Sequence, residues 1–159
     1  MLSRHRIRFP QHDANQLGQD EVTFQVIEGQ ERHKLRFHDY SHIYLRPGLY
    51  EQLFYDRLKC TSPQIVGELL NLALDASAQN FSEMRVLDLG AGNGMMGEIM
   101  KRYGVSRLVG ADIIPEAKAA CDRDRPGVYD EYYVADFTHL KPELEEEISS
   151  WSIDCLTSV

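Results

Sequence analysis

The chain has 159 residues, of which 43% are hydrophobic and 26% charged, and this composition excludes a disordered or collagen-like chain. The length fits one ordinary domain with a sizeable core. The net charge is −8, and residues 61–159 carry 8 Lys/Arg against 17 Asp/Glu. This acidic part disfavours a large nucleic-acid interface. The charge leaves room for a small basic region at the N-terminal end of the chain.

The N-terminal part, residues 1–60, is predicted to hold a β-hairpin followed by short helices. Its first twenty residues are polar and irregular, and we expect them to be mobile. Apolar and polar residues then alternate on both sides of a turn at 28–31, with Val22, Phe24 and Val26 before it and Leu35 and Phe37 after it. This alternation is typical of a hairpin. The next segment, 38–60, is rich in tyrosine and broken by Pro47-Gly48, which indicates one or two short helices.

Residues 61–159 are predicted to form an α/β domain. A helix begins at Ser62-Pro63 and runs to about Ala76. Short apolar strands then alternate with helices: strands at 85–89, 107–112, 132–135 and 153–158, and helices at 94–103, 115–122 and 142–150. Apolar strands that alternate with helices are typical of a parallel sheet covered on both faces, so we expect a three-layer sandwich.

The first of these strands leads into a glycine-rich loop, Asp88-Leu89-Gly90-Ala91-Gly92-Asn93-Gly94, and a helix follows at once. Glycines at every second position let the backbone turn tightly and approach a ligand closely. The free N–H groups at the helix start favour a carboxylate or another anionic group. The sequence therefore predicts a cofactor site at this loop.

Two readings of the loop compete. The spacing Gly92-x-Gly94-x-x-Gly97 formally matches the dinucleotide fingerprint. That register would extend the strand to Ala91 and bury Asp88 without a partner, which is costly. The other register places Asp88 near the carboxyl end of the strand, where open α/β sheets bind their ligands. The second register is favoured.

This second register resembles the first motif of the Rossmann-like (class I) S-adenosylmethionine (SAM) methyltransferases. Asp112 closes the second strand 22 residues after Gly90, and Asp136 follows the third strand. The resemblance implies strand order 3-2-1-4 for the part present, with SAM as cofactor. It implies that Asp112 binds the ribose hydroxyls, Asp136 the adenine amino group, and Asp88 the methionine amino group. Apolar faces for adenine would come from Ile113 and Phe137. The implied cofactor-binding set is Asp88, Gly90, Ala91, Gly92, Asn93, Gly94, Asp112, Ile113, Asp136 and Phe137.

The tyrosine-rich segment precedes this domain, as the lid does in many small-molecule methyltransferases. The resemblance implies that it closes over the cofactor and shapes the acceptor pocket. The candidate lid residues are Tyr40, Tyr44, Arg46 and Tyr55. The alternative is that these tyrosines only pack their own helices.

The expected function is therefore methyl transfer from SAM to a small-molecule acceptor, with no catalytic base identified. The alternatives are a non-catalytic SAM-binding or interaction module and an NAD-dependent oxidoreductase. The three cysteines are far apart and have no metal-ligand spacing, which predicts a cytoplasmic protein without a metal site. No apolar run reaches the length of a membrane span.

The resembling methyltransferases have seven strands, and this sequence supplies the first four. We expect the chain to be a C-terminally truncated part of a longer protein that is inactive alone. The fourth strand is apolar, with Ile153, Cys155, Leu156 and Val159, and its outer edge would lack a neighbour. Such an edge favours self-association.

Overall fold

The computed structural model describes residues 4–10 and 21–159. Within these ranges the chain divides into two compact units, 1–60 and 61–159.

The predicted hairpin is present in the first unit. Strand β2 (Thr23–Glu28) pairs antiparallel with β3 (Glu31–Arg36), so that Phe24 lies opposite Leu35. The turn between them contains Gly29, whose φ of +63° favours glycine. The hairpin prediction is confirmed.

A third strand, β1 (Arg6–Arg8), pairs antiparallel with β2. The expectation of irregular backbone is therefore wrong for these three residues. A strand of three residues with one apolar side chain, Ile7, is too short to show an alternating pattern. In the structure Ile7 is buried in the same core cluster as Phe24 and Val26. The expectation of mobility for 11–20 lies outside the described residues.

Two short helices follow the hairpin, α1 (Tyr40–Tyr44) and a π-helical segment (Glu51–Arg57), as the sequence predicted. Their apolar side chains close the core of the first unit together with the strands. The buried members of this core are Ile7, Phe24, Val26, Leu35, Ile43, Leu49 and Leu53.

The second unit is an α/β fold, and its elements alternate in chain order. The helices are α2 (Ser62–Ser77), a 3₁₀ turn (Phe81–Glu83), α3 (Met95–Tyr103), α4 (Pro115–Asp124) and α5 (Pro142–Ser150). The strands are β4 (Arg85–Leu89), β5 (Arg107–Asp112), β6 (Glu131–Val134) and β7 (Cys155–Thr157). All strand pairs are parallel, in the order β6-β5-β4-β7. This confirms the predicted order 3-2-1-4 and the fold class.

The strand β7 spans Cys155–Thr157 and is shorter than the predicted 153–158, and the residue before it, Asp154, is bonded to the first residue of β4. The carboxylate of Asp154 accepts hydrogen bonds from the backbone N–H of Arg85 at 2.8 Å and from its guanidinium at 2.9 and 3.0 Å. This contact fixes the entrance to β4, and regular pairing of β7 begins one residue later, at Cys155.

Both faces of the sheet are covered, as expected for a parallel sheet. Val86 and Leu108 face a cluster that includes Met96 and Met100 of α3. Leu87 and Val109 lie on the opposite face of the sheet, where Phe137 and Trp151 pack against them. Within residues 4–10 and 21–159, no helix combines the length and apolar character needed to cross a membrane.

Candidate functional site

The glycine loop leaves β4 at its carboxyl end, and three alternate residues adopt left-handed backbone conformations. The φ angles are +73° at Gly90, +55° at Gly92 and +88° at Gly94. The N–H groups of Gly90 and Ala91 both donate to the carbonyl of Ala111, at 2.9 Å each. Side chains other than glycine are strained at such angles, so the residue type is set by the backbone path.

Two glycines of the loop serve different purposes. A Cβ added at Gly90 would meet nothing within 4 Å, so the backbone there is open to an approaching molecule. A Cβ added at Gly94 would lie 3.0 Å from Cys121 Sγ and 3.1 Å from Val128 Cγ1. Gly94 therefore allows the loop to pack closely, while Gly90 leaves space above it.

The inner side of the loop is held by side chains from outside it. The Tyr132 hydroxyl donates to the carbonyl of Gly92 at 2.8 Å, and the Arg125 guanidinium donates to the carbonyl of Asn93 at 3.1 Å. Ala91 and Asn93 are both buried. These two predicted site residues thus have their side chains within the protein.

Asp112, at the end of β5, connects the loop to the next strand. Its Oδ2 accepts from the N–H of Gly92 at 2.9 Å, and its Oδ1 accepts from the N–H of Ile114 at 2.9 Å. Each carboxylate oxygen keeps a further lone pair for a ligand. Because Asp112 is only half-buried, it can present those lone pairs at the sheet edge. We call Gly92, Asp112 and Ile114 the rim.

Two further predicted residues, Ile113 and Phe137, lie at the carboxyl ends of β5 and β6. Ile113, beside Asp112, is 63% exposed, so its apolar side chain is accessible next to the rim. Phe137 is half-buried and packs against the cluster of Leu87 and Val109. Because β4, β5 and β6 are adjacent and parallel, all these residues share one edge of the sheet.

Asp136 is exposed and forms a local turn. Its Oδ1 accepts from the backbone N–H of Thr138 at 2.9 Å and from its hydroxyl at 2.6 Å. These hydrogen bonds, the Thr138 hydroxyl foremost, lower the pKa of the Asp136 carboxyl. The next helix, α5, begins with Lys141 as its N-cap, so Asp136 does not cap a helix.

Asp88 occupies a different environment from Asp112. It lies on β4 and is 1% exposed. Its Oδ2 accepts from the Tyr129 hydroxyl at 2.6 Å, and its Oδ1 accepts from the Thr157 hydroxyl of β7 at 3.0 Å. We call Asp88, Tyr129 and Thr157 the inner cluster. This geometry gives Asp88 a structural position, and its contact with the methionine amino group stays a prediction.

The burial of Asp88 bears on the choice between the two registers of the loop. The dinucleotide register is disfavoured partly because it would bury this aspartate without a partner. The structure buries Asp88 with two hydroxyl partners. The strand nevertheless ends at Leu89, so Gly90 lies outside it, as the favoured register requires.

Burial raises the pKa of Asp88 to about 6, and the hydrogen bonds from Tyr129 and Thr157 lower it only in part. Burial also raises the pKa of the Tyr129 hydroxyl well above its ordinary value, with the neighbouring Asp88 charge adding to the effect. Both groups therefore favour their neutral forms relative to an exposed side chain.

The sequence analysis did not identify Tyr129. Two glycines make room for its ring: a Cβ at Gly97 would lie 2.6 Å from its Cζ, and one at Gly110 would lie 3.0 Å from its Cδ2. The two glycines are the feature of the sequence that could have indicated a large side chain here. Glycine weakens the interior of a helix or strand, so its presence there often marks the close approach of another group.

The candidate lid residues lie in the first unit and contact one another or its hairpin. Tyr40 and Tyr44 stack at 6.2 Å between ring centroids, and Tyr50 lies 6.2 Å from Tyr55. Arg46 forms an ion pair with Glu28 at 2.9 Å. The structure thus places them within the packing of their own unit, and the lid role stays a prediction.

Comparison with known families gives a match for the second unit. Residues 87–159 match the family described as methyltransferase domain. This segment contains the glycine loop and the rim, and the match supports a class I SAM-dependent methyltransferase family for it.

The crystal structure of Thermoplasma acidophilum 1320 is similar to part of the chain, with 24% identity and a TM-score of 0.37. The similarity covers 47% of this chain and 41% of that structure, so the chain spans less than half of its length. No match was found among the curated proteins.

Proposed function

We propose that the chain binds SAM at the rim and belongs to an enzyme that methylates a small molecule. The observation that carries the proposal is the position of Asp112, at the carboxyl edge of the sheet, bonded to the glycine loop and beside the exposed Ile113. Ligands of open α/β sheets bind at this edge.

The residues present fit SAM. Asp112 has lone pairs for the two ribose hydroxyls, and Asp136, exposed on the neighbouring strand end, can accept from the adenine amino group. Ile113 and Phe137 provide apolar surface for the adenine ring. The open backbone at Gly90 leaves room for the methionine part. The contact of Asp88 with the methionine amino group belongs to this proposal, and the inner cluster would hold Asp88 in place at the end of β4.

SAM supplies a methyl group on a sulfonium, which an acceptor displaces in line. The chain's contribution is then to bind and orient the two molecules and to exclude water, since positioning accounts for much of the rate of such a displacement. A small acceptor is supported by the acidic charge of residues 61–159, which would repel a phosphate backbone. The lid residues Tyr40, Tyr44, Arg46 and Tyr55 belong to this proposal.

We further propose self-association through the edge of β7. Among the described strands β7 pairs only with β4, and Leu156 is 64% exposed on it. Sedimentation of the chain should show a dimer that Leu156→Lys converts to monomer. A monomeric parent chain would refute this part.

A cytoplasmic location is also proposed, because the three cysteines form no disulfide.

Calorimetric titration with SAM and with NAD on the same sample tests the cofactor. The loop variant is Gly92→Val, which forces a β-branched residue to a φ of +55° beside Asp112. The matched control is Gly104→Val, which has similar strain at a φ of +80° at the end of α3.

The parent and Gly104→Val should bind SAM, whereas Gly92→Val should lose binding and NAD should bind to none of them. Binding of NAD, or a folded Gly92→Val that binds SAM normally, would overturn the proposed cofactor site. The acceptor class is tested separately, by binding of a panel of small molecules to the SAM-saturated chain, because the chain alone is expected to be inactive.

A further inference from the structure

A cavity in the first unit is lined mainly by cationic side chains. Its volume is about 640 Å³, which lies within the range of roughly 300–1,000 Å³ typical of small-molecule sites. Among the described residues, its lining consists of Arg4, His5, Arg6, Ile7, Gln52, Asp56, Arg57 and Lys59. Four permanent cations thus face one carboxylate, in a chain whose net charge is −8.

The two sides of the cavity are fixed to each other. Gln52 of the π-helical segment accepts from the N–H of His5 at 2.7 Å and donates to the His5 carbonyl at 2.6 Å. The His5 ring also contacts the carbonyl of Pro47 at 2.9 Å. These hydrogen bonds hold the backbone immediately before β1, so the backbone that carries Arg4 and Arg6 is fixed at the cavity wall.

The cations of the opposite side are positioned by aromatic packing and by the backbone. The guanidinium of Arg57 lies over the ring of Phe9 at 5.5 Å, and Phe9 stacks on Phe37 at 6.1 Å. Lys59 follows the end of the π-helical segment with a left-handed φ of +58°, and the N–H of Cys60 closes this turn on the carbonyl of Phe54 at 2.9 Å. The π-helical turn brings Gln52, Asp56 and Arg57 to the same side, and such turns are frequent at functional sites.

We propose that this cavity binds a phosphorylated small molecule through a diphosphate or a similarly charged group. Arginine forks match phosphate oxygens in pairs, and lysine adds a point charge. Four cations against one carboxylate suit a ligand with more than one negative charge. The cavity is concave and limited in volume, which favours a small molecule over an extended strand. The proposal does not depend on the SAM site, because every lining residue lies within 4–59.

The test is a calorimetric titration of the whole chain with inorganic pyrophosphate at a fixed salt concentration of about 0.15 M, where weak surface attraction is largely screened. The variants are Arg57→Gln and Lys59→Gln, both at exposed positions where folding should be preserved. Lys34→Gln, on β3 and outside the cavity, is the control with the same change of charge.

The parent should bind one pyrophosphate per chain. Each cavity variant should weaken binding by about fivefold or more, and Lys34→Gln by less than about twofold. Absence of binding at millimolar pyrophosphate, or an equal loss in the control, would overturn the proposal. So would a single-stranded oligonucleotide that binds through Arg57 and Lys59 while pyrophosphate does not.

Discussion

The inner cluster and the rim contain an aspartate each, on adjacent strands, and the two carboxylates have opposite environments. Asp88 is buried and accepts hydrogen bonds from two hydroxyls, whereas Asp112 is half-buried and accepts from two backbone N–H groups. Both acids come from similar sequence positions near a strand end. The difference teaches that the neighbours, and not the strand position alone, decide whether an acid is buried in the fold or stays accessible at the end of the sheet.

The largest effect should come from removing the inner carboxyl. At pH 4, Asp88→Ala should lower the free energy of unfolding by about 4 kcal/mol, because two buried hydroxyls lose their partner and a cavity remains. Asp112→Ala should cost only about 1 kcal/mol, since water can replace a half-exposed acceptor. Urea unfolding of both variants measures this. An equal or larger loss for Asp112→Ala would break the distinction between the two regions.

The second effect is a pH dependence that belongs to the inner cluster. The pKa of Asp88 is raised to about 6 in the folded chain, whereas the unfolded chain loses this proton near its ordinary pKa of about 4. Between these values the folded state binds more protons, so stability falls as pH rises from about 4 to about 6.

The variant Asp88→Asn cannot ionise and should lack this fall. The difference in unfolding free energy between parent and Asp88→Asn should therefore change by about 3 kcal/mol from pH 4 to pH 7, and stay constant above pH 7. Chemical unfolding at several pH values provides the measurement. Parallel curves for the two proteins would show that Asp88 keeps an ordinary pKa.

The third prediction concerns the rim and ligand binding. Asp112→Ala should weaken SAM binding by about 2 kcal/mol, roughly 30-fold, because the ribose hydroxyls lose a charged acceptor and Gly92 loses its anchor. Asp112→Asn keeps one acceptor oxygen and should lose less. Calorimetry on both variants tests this, and an unchanged dissociation constant for Asp112→Ala would remove Asp112 from the site.

The smallest effect should follow from Tyr129→Phe, which keeps the ring between Gly97 and Gly110 and deletes the hydroxyl bonded to Asp88. We expect a loss of about 1 kcal/mol in stability and SAM affinity within about twofold of the parent. Thermal unfolding and calorimetry give the two readouts. A loss of SAM affinity larger than the loss of stability would give Tyr129 a role at the ligand.

Local patterns predicted much of the second unit. The strands β4 and β5 have the predicted bounds, because apolar runs ended by Gly or Asp are strong local signals. The hairpin followed from simple alternation. The tight turn of the glycine loop was predicted from its alternate glycines, and Gly90, Gly92 and Gly94 all have positive φ.

Contacts between distant residues could not be predicted in this way. Tyr129 bonds to Asp88 across 41 positions, and Thr157 across 69. No local pattern specifies either pairing, so the burial of Asp88 was not predicted. The strand β1 was missed because three residues with one apolar side chain are too short for a periodicity.

The central claim is that SAM binds at the rim, above the inner cluster. Hydrogen exchange of the backbone amides, with and without saturating SAM, tests it most directly. We predict slower exchange at residues 90–94 and 112–114, with little change at Leu87 and Val109, which are already buried in the sheet. Protection elsewhere in the chain, with the amides of 90–94 unchanged, would contradict the account.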